Sequence, residues 1–151
     1  MEFVLERRTT IARELDGVFQ FFADAENLER ITPPALGFRI RSELPIVMRK
    51  GATIEYTIRL YGIPLWWRTL ISEWNPPHSF EDTQTSGPYR KWVHTHTFER
   101  DGAHTVISDR VVYALPFGIL GRIVQPLVSR QLERIFDYRT SVIAGIFNEP
   151  G

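Results

Sequence analysis

The sequence contains no cysteine, which excludes a disulfide framework, thiolate chemistry and any zinc site built on sulfur. It carries no net charge: 18 basic residues balance 18 acidic ones, and no basic run is long enough to build a local field. Nothing therefore steers nucleic acid or an acidic membrane towards it. No apolar run approaches the ~20 residues of a membrane span, so stable membrane insertion is not expected. The opening stretch MEFVLERRTT lacks the apolar segment of a signal peptide, and a cytoplasmic location is the expectation. No phosphate-cradling glycine pattern occurs; Gly37, Gly51, Gly87 and Gly102 read as turn residues, and no cofactor is implied.

Aromatic surface, by contrast, is plentiful. Four Trp and ten Phe exceed what a minimal core needs and would suit the walls of an apolar cavity. At 151 residues the chain fits one domain, 1–151, with a substantial core.

Phe3, Leu5 and Ile11 share a parity, which predicts a strand with one buried face. Leu15, Val18, Phe19 and Phe22 then fall at helical spacing, with Asp16 near the first turn. Asp24 can cap a second short helix through Leu28 and Ile31, terminated by Pro33–Pro34. From Phe38 to Leu115 the period is two. A strand over 38–42 leads, past the Lys50–Gly51 turn, to one in which Ile54, Tyr56, Ile58 and Leu60 face inward. After a turn at Tyr61–Pro64 comes Leu65–Trp74, broken by Asn75–Pro76–Pro77; Trp66 and Trp67 are adjacent, so one of them must point outward. Phe80–Thr85 and Arg90–Glu99 form a hairpin, and Asp101–Gly102 turns the chain into a last strand, Thr105–Leu115.

The one long helical pattern is Ile119–Phe147. Leu120, Val124, Leu127, Ile135, Val142 and Ile146 form an apolar stripe, with Ile123, Val128, Leu132 and Ile143 beside it. Pro126 should kink this helix or end its first turns near Arg122. A lone long helix beside so much antiparallel sheet is economically arranged if the sheet curls around it. The fold class is α+β, with about six or seven strands wrapped on a C-terminal helix and two short helices after the first strand.

FFADAENLERITPP (21–34), GPYRKWVHTHTFE (87–99), DRVVYALPFGILGR (109–122) and QLERIFDYR (131–139) resemble the helix-grip fold of the START/Bet v 1-like (SRPBCC) superfamily, specifically its bacterial cyclase/dehydrase-like branch. The resemblance implies a deep apolar cavity between sheet and long helix. That superfamily includes lipid and hormone carriers, polyketide aromatase/cyclases and co-chaperones, and no motif here selects among them.

The densest polar candidates lie in the last strands. His94 and His96 share a face with Trp92 and Phe98, and Asp109 lies on the mainly apolar parity of Ile107, Val111, Tyr113 and Leu115. Pairing residue 100 with 103 sets His94 opposite Asp109 and His96 opposite Ile107. A matching register across Ser86–Pro88 sets Asp82 near His94 and Gln84 near Trp92, so His94 lies between two carboxylates. In one reading His94 is a general acid or base oriented by Asp109 and Asp82, serving a cofactor-independent cyclisation or dehydration. In another, a buried His simply satisfies a buried Asp. A metal on His94 and His96 would need a third ligand such as Asp109 or Asp82; nothing demands one, and no metal is expected.

The ligand-facing set expected is Tyr56, Trp67, Trp92, His94, His96, Asp109, Tyr113, Leu127 and Ile135. The leading reading is a binder or carrier of a small hydrophobic molecule, lipid-like, aromatic or polyketide-like. The apolar run at 116–128 reads first as packing against the sheet, and otherwise as an entrance lip, a contact in a homodimer, or the surface of a protein-interaction or membrane-touching module.

Overall fold

The computed structural model describes residues 1–60 and 62–148. Strand β1 (Phe3–Ile11) buries Leu5 and Ile11 and leads into α1 (Leu15–Ala23), whose Leu15, Val18, Phe19 and Phe22 all turn inward. Asp24 Oδ1 accepts the Glu26 N–H at 3.0 Å just before the short α2 (Asn27–Arg30). A single 3-10 turn at Pro34–Leu36 follows, and Gly37 stops it in the left-handed region at φ 53°.

Strand β2 (Arg39–Ile40) is shorter than the alternation at 38–42 suggests. Beyond Ile40 the backbone N–H groups of Arg41 and Ser42 both donate to the Glu55 carbonyl, while the Ser42 hydroxyl accepts the Glu55 N–H at 2.7 Å. A side chain thus takes the place of the next ladder bond and ends the strand. Strands β3 (Thr53–Leu60) and β4 (Ile63–Asn75) form a tight hairpin in which Ile63 and Pro64 already pair with Leu60 and Arg59. The expected turn at 61–64 therefore shrinks; its Tyr61 lies outside the described residues. Strict alternation in β4 buries Trp67 and leaves Trp66 62% exposed.

β5 (Ser79–Ser86), β6 (Lys91–Asp101) and β7 (His104–Ala114) complete one antiparallel sheet in the order β1-β7-β6-β5-β4-β3-β2. The first strand thus lies beside the last, and α1 and α2 carry the chain across to the far edge. The β4–β5 ladder slips twice, between Arg68 and Thr69 and between Ile71 and Glu73, leaving Thr85 and Ser72 without a ladder partner. Such bulges bend and twist a sheet, which suits one that curves round a helix.

α3 (Ile119–Asn148) runs through Pro126 as one helix, so the proline does not end its first turns. Its buried face is formed by Leu132, Phe136, Arg139 and Ile143 at spacings of four, three and four. This corrects the expected stripe. Leu120, Ile123, Val124 and Leu127 are 45–68% exposed, although Leu120 and Val124 also line the cavity. One apolar cluster joins Phe19, Phe22, Phe80, Phe98 and Ile143, and a second joins Trp67, Trp92, Tyr113, Leu132 and Phe136. Among the described residues no helix is long and apolar enough to cross a membrane.

Phe98 is 1% exposed and meets the rings of Phe19, Phe22 and Phe80. Phe98→Ala should therefore cost about 3–5 kcal/mol of stability in urea denaturation, with an unchanged m-value.

Candidate functional site

The inner face of the sheet carries one polar belt. Asp82 on β5, His94 and His96 on β6, and Asp109 on β7 all point inward because each sits on the apolar parity of its strand. The β6–β7 register differs from the expected one. Asp101 pairs with His104, so His94 lies opposite Val111 and His96 opposite Asp109. The slip is two residues, and an even slip leaves every side chain on its original face. His94 Nε2 still reaches Asp109 Oδ1 diagonally, at 2.8 Å. Asp82 does pair with His94 across β5–β6, but its short hydrogen bond is to His96 Nε2, at 2.6 Å. Gln84 clamps the hairpin, its amide bonding the Tyr89 carbonyl at 2.6 Å and N–H at 3.1 Å.

Each imidazole consequently spans both carboxylates. His94 Nδ1 is 3.9 Å from Asp82, and His96 Nδ1 is 3.5 Å from Asp109. The two rings stack with centroids 3.6 Å apart and a 25° tilt, and Phe80 stacks on His96 at 4.1 Å. Arg139 descends from α3 onto this box. Its Nη2 lies 3.4 Å from both Asp109 Oδ1 and His96 Nδ1, and its guanidinium stands over the rings of Phe22 and Phe136.

The electrostatics follow from burial. Desolvation pushes the His96 imidazole down to about 4, helped by the charge of His94 and opposed by Asp82 and Asp109. At neutral pH His96 is uncharged. Its Nε2–H donates to Asp82, an acceptor-only carboxylate, and its Nδ1 is left to accept from Arg139. For Asp109, burial is the largest single influence and opposes ionisation. The Arg139 charge, the His94 hydrogen bond and the two imidazoles together outweigh it and hold the carboxyl well below its ordinary range. Asp82 is likewise held low, burial again being overcome, here by the His96 hydrogen bond and the charges of His94, His96 and Arg139. Burial pushes the Tyr56 and Tyr89 phenols up.

Between sheet and α3 lies a cavity of about 420 Å³. Of the ligand-facing residues expected from sequence, Tyr56, Trp67, Trp92, His94, His96 and Ile135 line it, as does Asp82. Asp109 and Tyr113 are buried behind the wall, where Asp109 holds two wall residues in place and Tyr113 packs against Tyr89 and Trp92. Leu127 is off the cavity, on the exposed side of α3, and its assignment is corrected with the helical phase. Arg139 and Tyr89 also line the wall and were not anticipated. The signal for Arg139 was present: it is a cation at helical spacing from Phe136 and Ile143, on an otherwise apolar face. Trp67 Nε1 and Arg139 Nε are buried without a hydrogen-bond partner among the described residues.

Asp82, His94 and His96 bring three potential metal-ligating atoms within 4.8 Å of one another. The short contacts of the two imidazoles are hydrogen bonds to carboxylates, His94 Nε2 to Asp109 at 2.8 Å and His96 Nε2 to Asp82 at 2.6 Å.

Neither a protein-family model nor a curated protein matches the sequence. Solved structures do match its shape. The Zhui aromatase/cyclase of a Streptomyces strain superposes with a TM-score of 0.78 at 15% identity, covering 98% of this chain and 94% of that one. A START superfamily protein from Mycobacterium smegmatis gives 0.68 at 12%, covering 96% and 97%. Major latex-like protein 151 from Panax ginseng gives 0.67 at 13%, covering 97% of both chains. The chain shares the helix-grip α+β fold of these structures.

Two tests address the belt. His96 has a lower pKa folded than unfolded, so between pH 6.5 and about 4 only the unfolded chain binds its proton, and stability falls as pH drops through that window. The loss is on the order of 3 kcal/mol. His96→Gln keeps a donor for Asp82 and should flatten this part of the curve of stability against pH in urea titrations; an unaltered slope would show that His96 is not its source. Arg139→Met removes the permanent cation beside Asp109 and should cost about 3–5 kcal/mol at pH 7 by the same measurement.

Proposed function

We propose that this chain, as a single helix-grip domain, binds or carries a small hydrophobic molecule in the cavity between sheet and α3. The observation that carries the reading is the cavity itself. Its volume of about 420 Å³ suits a small organic ligand, and aromatic and aliphatic side chains dominate its wall. Burial supplies most of the affinity, at roughly 25 cal/mol per Å² of apolar surface removed from water. The Asp–His belt supplies orientation. The mouth lies at the lip, where Phe117, Leu120 and Val124 are 45–81% exposed and also line the cavity. This apolar lip suits transient contact with a membrane or a second copy of the chain. Native mass spectrometry of freshly purified protein should show a co-purifying lipophilic species and report the subunit count. A cavity that holds only water, and takes up no hydrophobic probe, would sink the binding reading.

A second reading is favoured by the 2.8 Å Asp109–His94 pair on the cavity wall and by the shape shared with an aromatase/cyclase. In it the protein is a cofactor-independent cyclase or dehydratase acting on a polyketide-like carbonyl compound. His94 is the general acid or base, with Asp109 and Asp82 fixing its tautomer and orientation. His94→Ala, checked for folding by circular dichroism, should then lower turnover by about 10²–10⁴-fold. Unchanged turnover would remove the assignment.

A further inference from the structure

The two carboxylates of the belt are not equivalent. Asp109 is 6% exposed, lies behind the cavity wall, and its Oδ1 is approached by His94 Nε2, Arg139 Nη2 and His96 Nδ1 at 2.8, 3.4 and 3.5 Å. Asp82 lines the cavity and keeps 18% of its side chain accessible. Both of its imidazole contacts, 2.6 Å from His96 and 3.9 Å from His94, fall on Oδ2. Oδ1 has no hydrogen-bond partner among the described residues.

Resting on the ligand-binding reading, we propose that Asp82 is the residue that selects the ligand, and that the ligand is an aromatic molecule carrying a hydroxyl donor, a phenol or enol. An ionised carboxylate is an acceptor only, so what it lacks at Oδ1 is a donor. The surrounding charges narrow the class. A carboxylate ligand would meet two ionised aspartates against one cation in a site of low dielectric, and an ammonium, though drawn to the carboxylates, would have to shed its hydration in an otherwise apolar cavity. A neutral O–H meets neither penalty, and its bond to a charged acceptor is about twice as strong as one to a neutral acceptor. The ring character follows from the neighbouring wall. Trp67 stands edge-on to Trp92 at 5.3 Å and stacks with Tyr56 at 5.8 Å, and Tyr89 lies 4.8 Å from Trp92. Thr69 and Trp67 are the next inward-facing residues of β4 beyond Ile71, which pairs with Asp82, so the aromatic wall and the carboxylate occupy one continuous strip of sheet.

The probes are naphthalene, 2-naphthol and 2-methoxynaphthalene, followed by quenching of tryptophan fluorescence in delipidated protein. They share one ring system and differ in the donor. 2-Naphthol should bind at least tenfold more tightly than 2-methoxynaphthalene, although its hydroxyl is the costlier group to desolvate. Asp82→Asn, checked for folding by circular dichroism, should shrink that ratio to about threefold. Equal or weaker binding of 2-naphthol in the parent protein overturns the inference while the cavity-binding reading stands. A preference that persists undiminished in a folded Asp82→Asn overturns the assignment to Asp82. Failure of all three probes to bind overturns both. If Asp82→Asn does not fold, the parent series alone decides whether a donor is selected.

Discussion

Asp109 is an ionised group in an otherwise apolar interior, and the arrangement around it constrains the rest of the molecule. Charge in such a place persists only when donors surround it, and here they come from β6 and from α3. A helix whose packing face were wholly apolar could settle on a curved sheet in several rotations. Arg139 admits one, the rotation that sets its guanidinium on Asp109 and His96 between two phenylalanine rings. Buried ion pairs of this type add little net stability but penalise alternatives heavily, because any misplacement leaves a charge uncompensated. Arg7, whose guanidinium pairs with Glu133 and with Asp137 at 2.8 Å, reinforces that choice from β1 only weakly, since all three groups are partly exposed.

The cavity persists for related reasons. Its wall is made of stacked and edge-on aromatic rings that cannot collapse without breaking their own contacts, and its curvature is built into the backbone by the two slips of the β4–β5 ladder. Below it the belt is a hydrogen-bonded floor. Removing an imidazole would strand a carboxylate, so the polar and apolar parts hold each other open.

Much of this was legible in the residues. Alternation exposed the strands, and it implied that one of the adjacent tryptophans must face outward; Trp66 does. The belt was legible because parity survives an even slip: the pairing of His94 with Asp109 was expected from a register that is two residues off, yet the contact forms diagonally. Three things were less legible. The start of α3, ILGRIVQPLV, is apolar around most of its circumference, so no single face could be chosen from it, and Leu127 was assigned to the wrong one. Arg139 is visible in the residues as a cation on an apolar stripe, but its role follows only once its buried partners, Asp109 and His96, are known. The brevity of β2 depends on the Ser42 hydroxyl replacing a ladder bond, which composition does not foretell.

Pro126 divides α3 unequally. It has no N–H to give the carbonyl four residues earlier, so the turns carrying Phe117's neighbours Leu120 and Val124 are joined to the rest of the helix by one bond fewer than usual. Phe117 itself holds a left-handed φ of 69°, a costly conformation for a bulky residue. The two ends of α3 thus belong to one continuous helix but are held differently. The portion bearing Leu132, Phe136 and Arg139 is pinned by burial and charge, whereas Leu120, Ile123 and Leu127 are mostly exposed. Displacing those exposed turns would leave the Arg139 contacts with Asp109 and His96 intact.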